Sequence, residues 1–394
     1  MKKRMNGIII IFVLVIFVFC AGSMIVEAAP GSSDSSEASE EELVEQASEA
    51  LLSEFDFSGI EESLERMLPQ DKVRFEKVVG ALISGDLEET GQWFIRFIKD
   101  QLFYEFSYNR KAVVYIIMAA FASAVFSNFA DAFRNRQISD VSFYVIYMLV
   151  ITLCITAFHT TISGLEEGIG SLTGFMQVFC PVYFMAVAFA SGSTSALFFY
   201  NVVLFLIYVA ELLIIHILLP AVNIYIMIRV LGNVTDEDFL SELSELIRKA
   251  VVWTLRFMVG CVVGINVIQG LLAPAVDTVR RSAVTRTAEA VPWVGDLMGG
   301  TAEVLVGTAV LIKNGIGMAG ALTAVGLCAA PALQMLVMAL LYRLAAAVVQ
   351  PVSDKRITSC ISSVSEGYEL LLRVLVTTGA LFLLTIAITA SFTS

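Results

Sequence analysis

From residue 112 to the C-terminus, long apolar runs alternate with short polar breaks. A helix rising ~1.5 Å per residue needs about 20 apolar residues to cross the hydrocarbon of a bilayer. On that spacing the chain predicts membrane spans near 112–130, 141–161, 172–191, 196–219, 250–273, 301–326, 330–350 and 370–391. Glycines and Lys313 blur the sixth of these, so seven spans is the rival count to eight. The fourth continues past Pro220 to Leu231, which reads as a kinked extension in preference to a re-entrant piece. The first carries Ala119, Ala120, Ala122 and Ala124, small side chains that let helices approach closely.

Upstream the pattern changes. Lys2, Lys3 and Arg4 precede an apolar core from Ile8 to Phe19, and Val26-Glu27-Ala28 follows as a small-residue cleavage site. That is the layout of a secretory signal peptide over 1–28, with an uncleaved anchor as the alternative. Residues 29–42 are rich in Ser, Glu, Asp, Gly and Pro and predict a disordered acidic linker. From 43 to 111 a helical period returns as a small acidic helical domain on the far side of the membrane. Leu43, Ala47, Leu51 and Phe55 recur every fourth residue, Ile60, Leu64 and Leu68 continue, and Pro69 stops them. Asp86 and Glu89 resemble a helix cap, after which Trp93, Phe94, Phe97 and Phe106 line one face of a helix leading to the membrane. That stripe is either the core of a three-helix domain, a docking face for a partner, or a face lying on the bilayer.

Composition and charge sharpen this. The 394 residues are 57% hydrophobic and 16% charged, with a mean hydropathy of +0.80. So little charge cannot solvate the surface of a soluble domain of this size. Nineteen acidic and eight basic side chains fall between 30 and 111, which accounts for most of the net charge of −12. No basic surface suited to nucleic acid is present. With the acidic domain outside, the loops 131–140, 192–195, 274–300 and 351–369 face the cytosol and hold Arg134, Arg136, Arg280, Arg281, Arg286, Lys355 and Arg356. The opposite loop 162–171 carries Glu166 and Glu167 and no basic residue, and 232–249 is mainly acidic, which is the positive-inside bias.

Chemistry-bearing motifs are sparse. There is no phosphate-binding loop, no metalloprotease or serine-hydrolase motif, and no CxxC pair among six cysteines. Two histidines, His159 and His216, do not suggest a metal site. The expectation is therefore no enzyme, no cofactor and no metal. Ionisable groups at membrane depth cost about 2.5–3.5 kcal/mol each on insertion scales and need a reason. Glu211, His216, Arg256, Glu303, Lys313 and Arg343 are the candidates. Glu211 suits either a buried pair, with Arg256 or Arg343, or a proton- or ion-handling role; His216 suits a satisfied hydrogen bond. Glycines form a second set: Gly260, Gly264, Gly295, Gly299, Gly300, Gly315, Gly317 and Gly320. They suit either tight helix packing or a mobile helix lining a path.

Several stretches together resemble the stage III sporulation protein AE family of endospore-forming Firmicutes. They are Phe175-Met176 with Pro181, Ala190-Ser191-Gly192, Gln269-Gly270, and Pro292-Trp293-Val294-Gly295-Asp296. Leu311-Ile312-Lys313-Asn314, Gly320, Pro331 and Tyr342-Arg343-Leu344-Ala345-Ala346-Ala347 up to Gln350-Pro351 complete the pattern. None is a chemical motif; their order and spacing carry the likeness over essentially the whole chain. The resemblance implies an all-α multispan protein in a channel or secretion-like complex between mother cell and forespore. It implies other stage III sporulation A-type proteins as partners in an oligomeric assembly. It places the chain in the outer forespore membrane, with 29–111 in the intermembrane space, and implies a part in late forespore gene expression. No catalytic residues come with it. The alternative from the residues alone is a stand-alone secondary transporter coupled through an intramembrane carboxylate.

Overall fold

A computed structural model describes residues 55–67, 75–83, 87–132, 136–191, 195–233, 240–288 and 299–391, with side chains for a part of them. The predicted signal peptide (1–28), acidic linker (29–42) and first stretch of the acidic domain (43–54) lie outside these residues, as does 289–298 with Gly295.

Every element among the described residues is helical. Two short helices come first, α1 (Ser58–Met67) and α2 (Phe75–Ile83). Long ones follow: α3 (Leu87–Ala132), α4 (Arg136–Ser191), α5 (Ser195–Leu213), a π turn (Ile214–Leu218) and α6 (Leu219–Gly232). The last three are α7 (Ser241–Ala288), α8 (Gly299–Val349) and α9 (Lys355–Ser391). Helices α8 and α9 form a central antiparallel pair; α4 packs on both, α3 lies against α4 and α8, and α5, α6 and α7 close the other side. Among the described residues, four helices are long and apolar enough to cross a membrane: α4, α5 continued through α6, α8 and α9. The described residues are thus those of an all-helical membrane protein.

Helix boundaries correct the span map. The break expected at 162–171 is helix, and α4 runs unbroken for 56 residues. Its inward stripe explains why: Phe158, Ile162, Leu165, Ile169 and Leu172 stay buried at helical spacing while Glu166 and Glu167 face out. With no proline before Pro181, nothing there removes a backbone donor. The spans expected at 301–326 and 330–350 are likewise one helix, α8, with Pro331 inside it. At ~1.5 Å per residue, α4 is ~84 Å long, far beyond the ~30 Å of bilayer hydrocarbon. A straight helix places only one of its two apolar halves across a membrane, so the described boundaries do not give seven or eight crossings. Finally, the loop expected over 351–369 is only a turn near 350–354, and α9 begins at Lys355. The extension past Pro220 is helical to Gly232, and the π turn at 214–218 absorbs the proline.

The acidic segment does not build a separate core from its described helices. Asp56 starts α1 by accepting the Ser58 N–H at 3.0 Å and the Ser58 hydroxyl at 2.5 Å, bonds that hold its carboxyl below the ordinary range. Beyond that start, Phe57 and Phe75 meet at 5.7 Å, but Phe55 stacks edge-on to Phe189 of α4 and Phe75 to Phe179 of α4. Ile60, Leu64, Val79 and Leu82 complete a face that merges with the bundle core. Two amphipathic helices of about ten residues bury too little area alone. They find the rest of their cover on α4 and α8.

Candidate functional site

Several of the described polar side chains meet along one stretch of α9. Its sequence Ser363-Val364-Ser365-Glu366-Gly367-Tyr368-Glu369 puts hydroxyls and carboxylates on three sides of the helix, toward different neighbours. Glu366 accepts from the Tyr225 hydroxyl at 3.2 Å and lies 3.5 Å from Nη2 of Arg229, both on α6. Asn233, just past the end of α6, donates to the Ser363 hydroxyl at 3.1 Å. The Ser365 hydroxyl donates to the Ala339 carbonyl of α8 at 2.8 Å, and Arg343 of α8 donates to Glu369 at 2.6 Å. Tyr368 faces Thr161 of α4 at 3.4 Å. Gly367 makes room for this. A methyl there would lie 2.1 Å from Ile226 and 2.9 Å from Phe158. Between α7 and α9, Arg248, Glu366, Glu369 and Arg373 line a small polar cavity.

These contacts bind helices to one another. Tyr147 of α4 donates to the Val230 carbonyl at 3.1 Å, in the last turn of α6, where carbonyls lack helical partners. Tyr183 of α4 donates to the Ile386 carbonyl of α9 at 3.3 Å. A guanidinium facing a carboxylate offsets the charge of both, as in Arg229 with Glu366 and Arg343 with Glu369. Among the described residues, no three His, Cys, Asp or Glu side chains stand close enough to hold a metal.

The residues singled out from sequence fall into separate places. Lys313 is buried in α8 and donates to the Ala390 carbonyl at 3.4 Å, capping the last turn of α9 with a cation where the helix dipole is negative. Arg343 pairs with Glu369 and not with Glu211. Glu211 is half-buried on α5, with His216 of the π turn as its electrostatic neighbour, and Arg256 is exposed on α7. The pair expected between Glu211 and Arg256 or Arg343 is therefore absent among the described residues. Glu303 lies on α8, but its side chain is outside those described.

The glycines divide in two. On α8 a methyl at Gly315 would lie 2.8 Å from Ile83 of α2, at Gly317 3.0 Å from Tyr183, and at Gly320 2.1 Å from Phe179. These three are seats for large side chains. At Gly260 and Gly264 of α7 a methyl would meet nothing within 4 Å. Gly299 and Gly300 open α8, with no surroundings described.

On α3, Phe106 is exposed together with Phe103, Tyr104 and Tyr108, whereas the side chains of Trp93, Phe94 and Phe97 lie outside those described. The same helix hides Glu105, which takes hydrogen bonds from Asn109 at 2.9 Å and Gln101 at 3.1 Å. Burial pushes its carboxyl above the ordinary range, and the two bonds offset part of that. At the head of α7, Glu245 receives Arg248 at 2.8 and 2.6 Å, which holds the carboxyl low and the guanidinium high.

Sequence reasoning missed Tyr225, Arg229, Glu366 and Glu369. Glu366 and Glu369 fall in the stretch that reads as a loop, where acids need no partner. The available signal is their spacing of three with Arg373 four further on, one helical face leading into an apolar run.

The family model described as Stage III sporulation protein AE matches residues 73–393. A Bacillus subtilis (strain 168) protein with that name is 25% identical over 393 residues, spanning 98% of this chain and 97% of its own. No solved structure matches.

Proposed function

This chain belongs to the stage III sporulation protein AE family, and on that premise we propose that it is a membrane component of the channel complex connecting mother cell and forespore. The observation that carries the reading is the family match across 73–393, which takes in nearly every described helix. In this reading the protein sits in the outer forespore membrane after removal of a signal peptide over 1–28. Residues 29–111 face the intermembrane space and meet other stage III sporulation A-type proteins there. The four strongly apolar helices cross the bilayer, joined by the apolar parts of α3 and α7.

The arrangement supports a structural part in place of a catalytic one. The polar contacts of α9 tie its neighbours α4, α6 and α8 to it, and the seats on α8 lock α2 and α4 in place. Such a body holds a fixed geometry in the membrane and presents surfaces to neighbours. Late forespore gene expression then depends on the assembled complex. Deletion of the gene should stop sporulation after engulfment and silence a late forespore reporter, and the intact protein should co-purify with its sibling proteins from sporulating cells. A clean deletion that forms spores at the normal yield overturns the proposal.

A further inference from the structure

Helix α7 has two unlike faces. Val251, Leu255, Met258 and Val262 are buried against the bundle. On the opposite side Leu246, Ala250, Trp253, Phe257, Gly260 and Gly264 are exposed, with Leu243 before them and Val267 after. Their spacing alternates strictly between three and four from 243 to 267. Trp253 is 72% exposed and Phe257 62%. A repeat averaging 3.5 is the condition for a second helix to lie along the first in a left-handed pair. The two glycines fit this. Elsewhere in the chain Gly315, Gly317, Gly320 and Gly367 each seat a side chain, but Gly260 and Gly264 seat none. In the middle of an apolar helix they flatten a surface that another backbone can approach.

Charge identifies the second helix. Arg256 flanks the seam and is exposed; Glu211 and His216 lie on the neighbouring helix, with Glu211 half-buried and His216 exposed. Neither Glu211 nor Arg256 has an ion-pair partner among the described residues, and each is costly in bare lipid. They are opposite in sign. Counting from the connection between α6 and α7, Arg256 is level with the π turn, and Glu211 is about one and a half turns, ~8 Å, away along the axis. A long arginine stem covers that distance. A two-fold axis along the bilayer normal would set two α7 seams side by side and bring each Arg256 toward the other copy's Glu211. One surface then supplies both halves of the match.

We propose that the α7 seam, with Glu211 and Arg256 at its flank, is the membrane interface between two copies of this chain. The inference rests on α5, α6, α7 and the bilayer, and it stands apart from the channel reading. Cysteines placed one at a time along α7 of the full chain, with Cys20 and Cys261 changed to Ser and Cys154, Cys180, Cys328 and Cys360 left buried in the core, would be oxidised in native membranes and in lipid nanodiscs. Crosslinked dimer is expected at positions 253, 257, 260 and 264, and little at 252 and 259. Gly260→Leu with Gly264→Leu, where nothing stands in the way of a side chain, should lower the dimer fraction by about tenfold or more while the thermal melt of the monomer stays unchanged. Arg256→Glu should do the same, and adding Glu211→Arg should restore the dimer. Uniform crosslinking along α7, a dimer indifferent to the leucines, or a seam that crosslinks only to a different protein overturns the proposal.

Discussion

Replacing Gly320 with alanine adds one methyl group at the most confined point of the bundle. The new carbon would lie 2.1, 2.2 and 2.8 Å from three atoms of the Phe179 ring, where real contacts are rarely closer than about 3.4 Å. The ring has little room to withdraw. Phe179 is fully buried, stacked on Phe175 at 5.5 Å on one side and on Tyr183 at 5.3 Å on the other, with Phe75 of α2 against its edge at 6.3 Å. Overpacking of this kind costs about 1–3 kcal/mol, and loosening the ring contacts adds roughly 0.5–1.5 kcal/mol for each pair lost. Gly320→Ala should therefore destabilise by ~2–4 kcal/mol. Phe179→Leu alone should cost less than the glycine change, and the double variant should recover part of the loss, giving a coupling of at least ~1 kcal/mol. Thermal melting of the purified protein in detergent, run as a double-mutant cycle, measures all three. A Gly320→Ala protein that melts with the parent, or a cycle that is simply additive, would refute the seat and with it the close approach of α4 to α8.

Two further outcomes follow from the polar contacts. Glu366→Leu should destabilise by ~1–3 kcal/mol, because the Tyr225 hydroxyl and the Arg229 guanidinium lose their acceptor together, whereas Glu366→Gln keeps an acceptor and should cost less; equal melting of the two variants would contradict the described bonds. Glu105 has its carboxyl raised by burial, so its contribution to stability is full below the unfolded value near 4.5 and is lost as pH rises through the higher folded value. Glu105→Gln should melt at or above the parent at pH 7 and should flatten the dependence of melting on pH above 4.5; a lower melting point at neutral pH would show that the charge is favourable there.

How much of the molecule is legible in the sequence depends on range. Periodicity marks the helices, and the inward stripe from Phe158 to Leu172 is plain in the residue pattern, but the polar letters from Gly164 to Glu167 mimic a break across it. A pair of outward acids does not end a helix whose buried face continues. Lys313 is legible as a membrane-depth cation, yet its acceptor, the Ala390 carbonyl, is a main-chain group that carries no letter in the sequence. The tight glycines of α8 are legible as close approaches. Their occupants, Ile83, Tyr183 and Phe179, are not, since a contact across more than a hundred residues leaves no local trace. Glu366 is hidden by the opposite effect: the serines and acids from 353 to 369 look like a loop although the helix has already begun.

The seating of α2 on α8 also sets a schedule. Ribosomes make residues 55–83 long before residues 315–320, at about 5–20 residues per second. Val79 and Ile83 thus emerge many seconds ahead of Gly315, which will receive them. Through that interval the nascent segment must keep its apolar face against lipid or a chaperone, so the first of the described helices to be translated are among the last to be sealed.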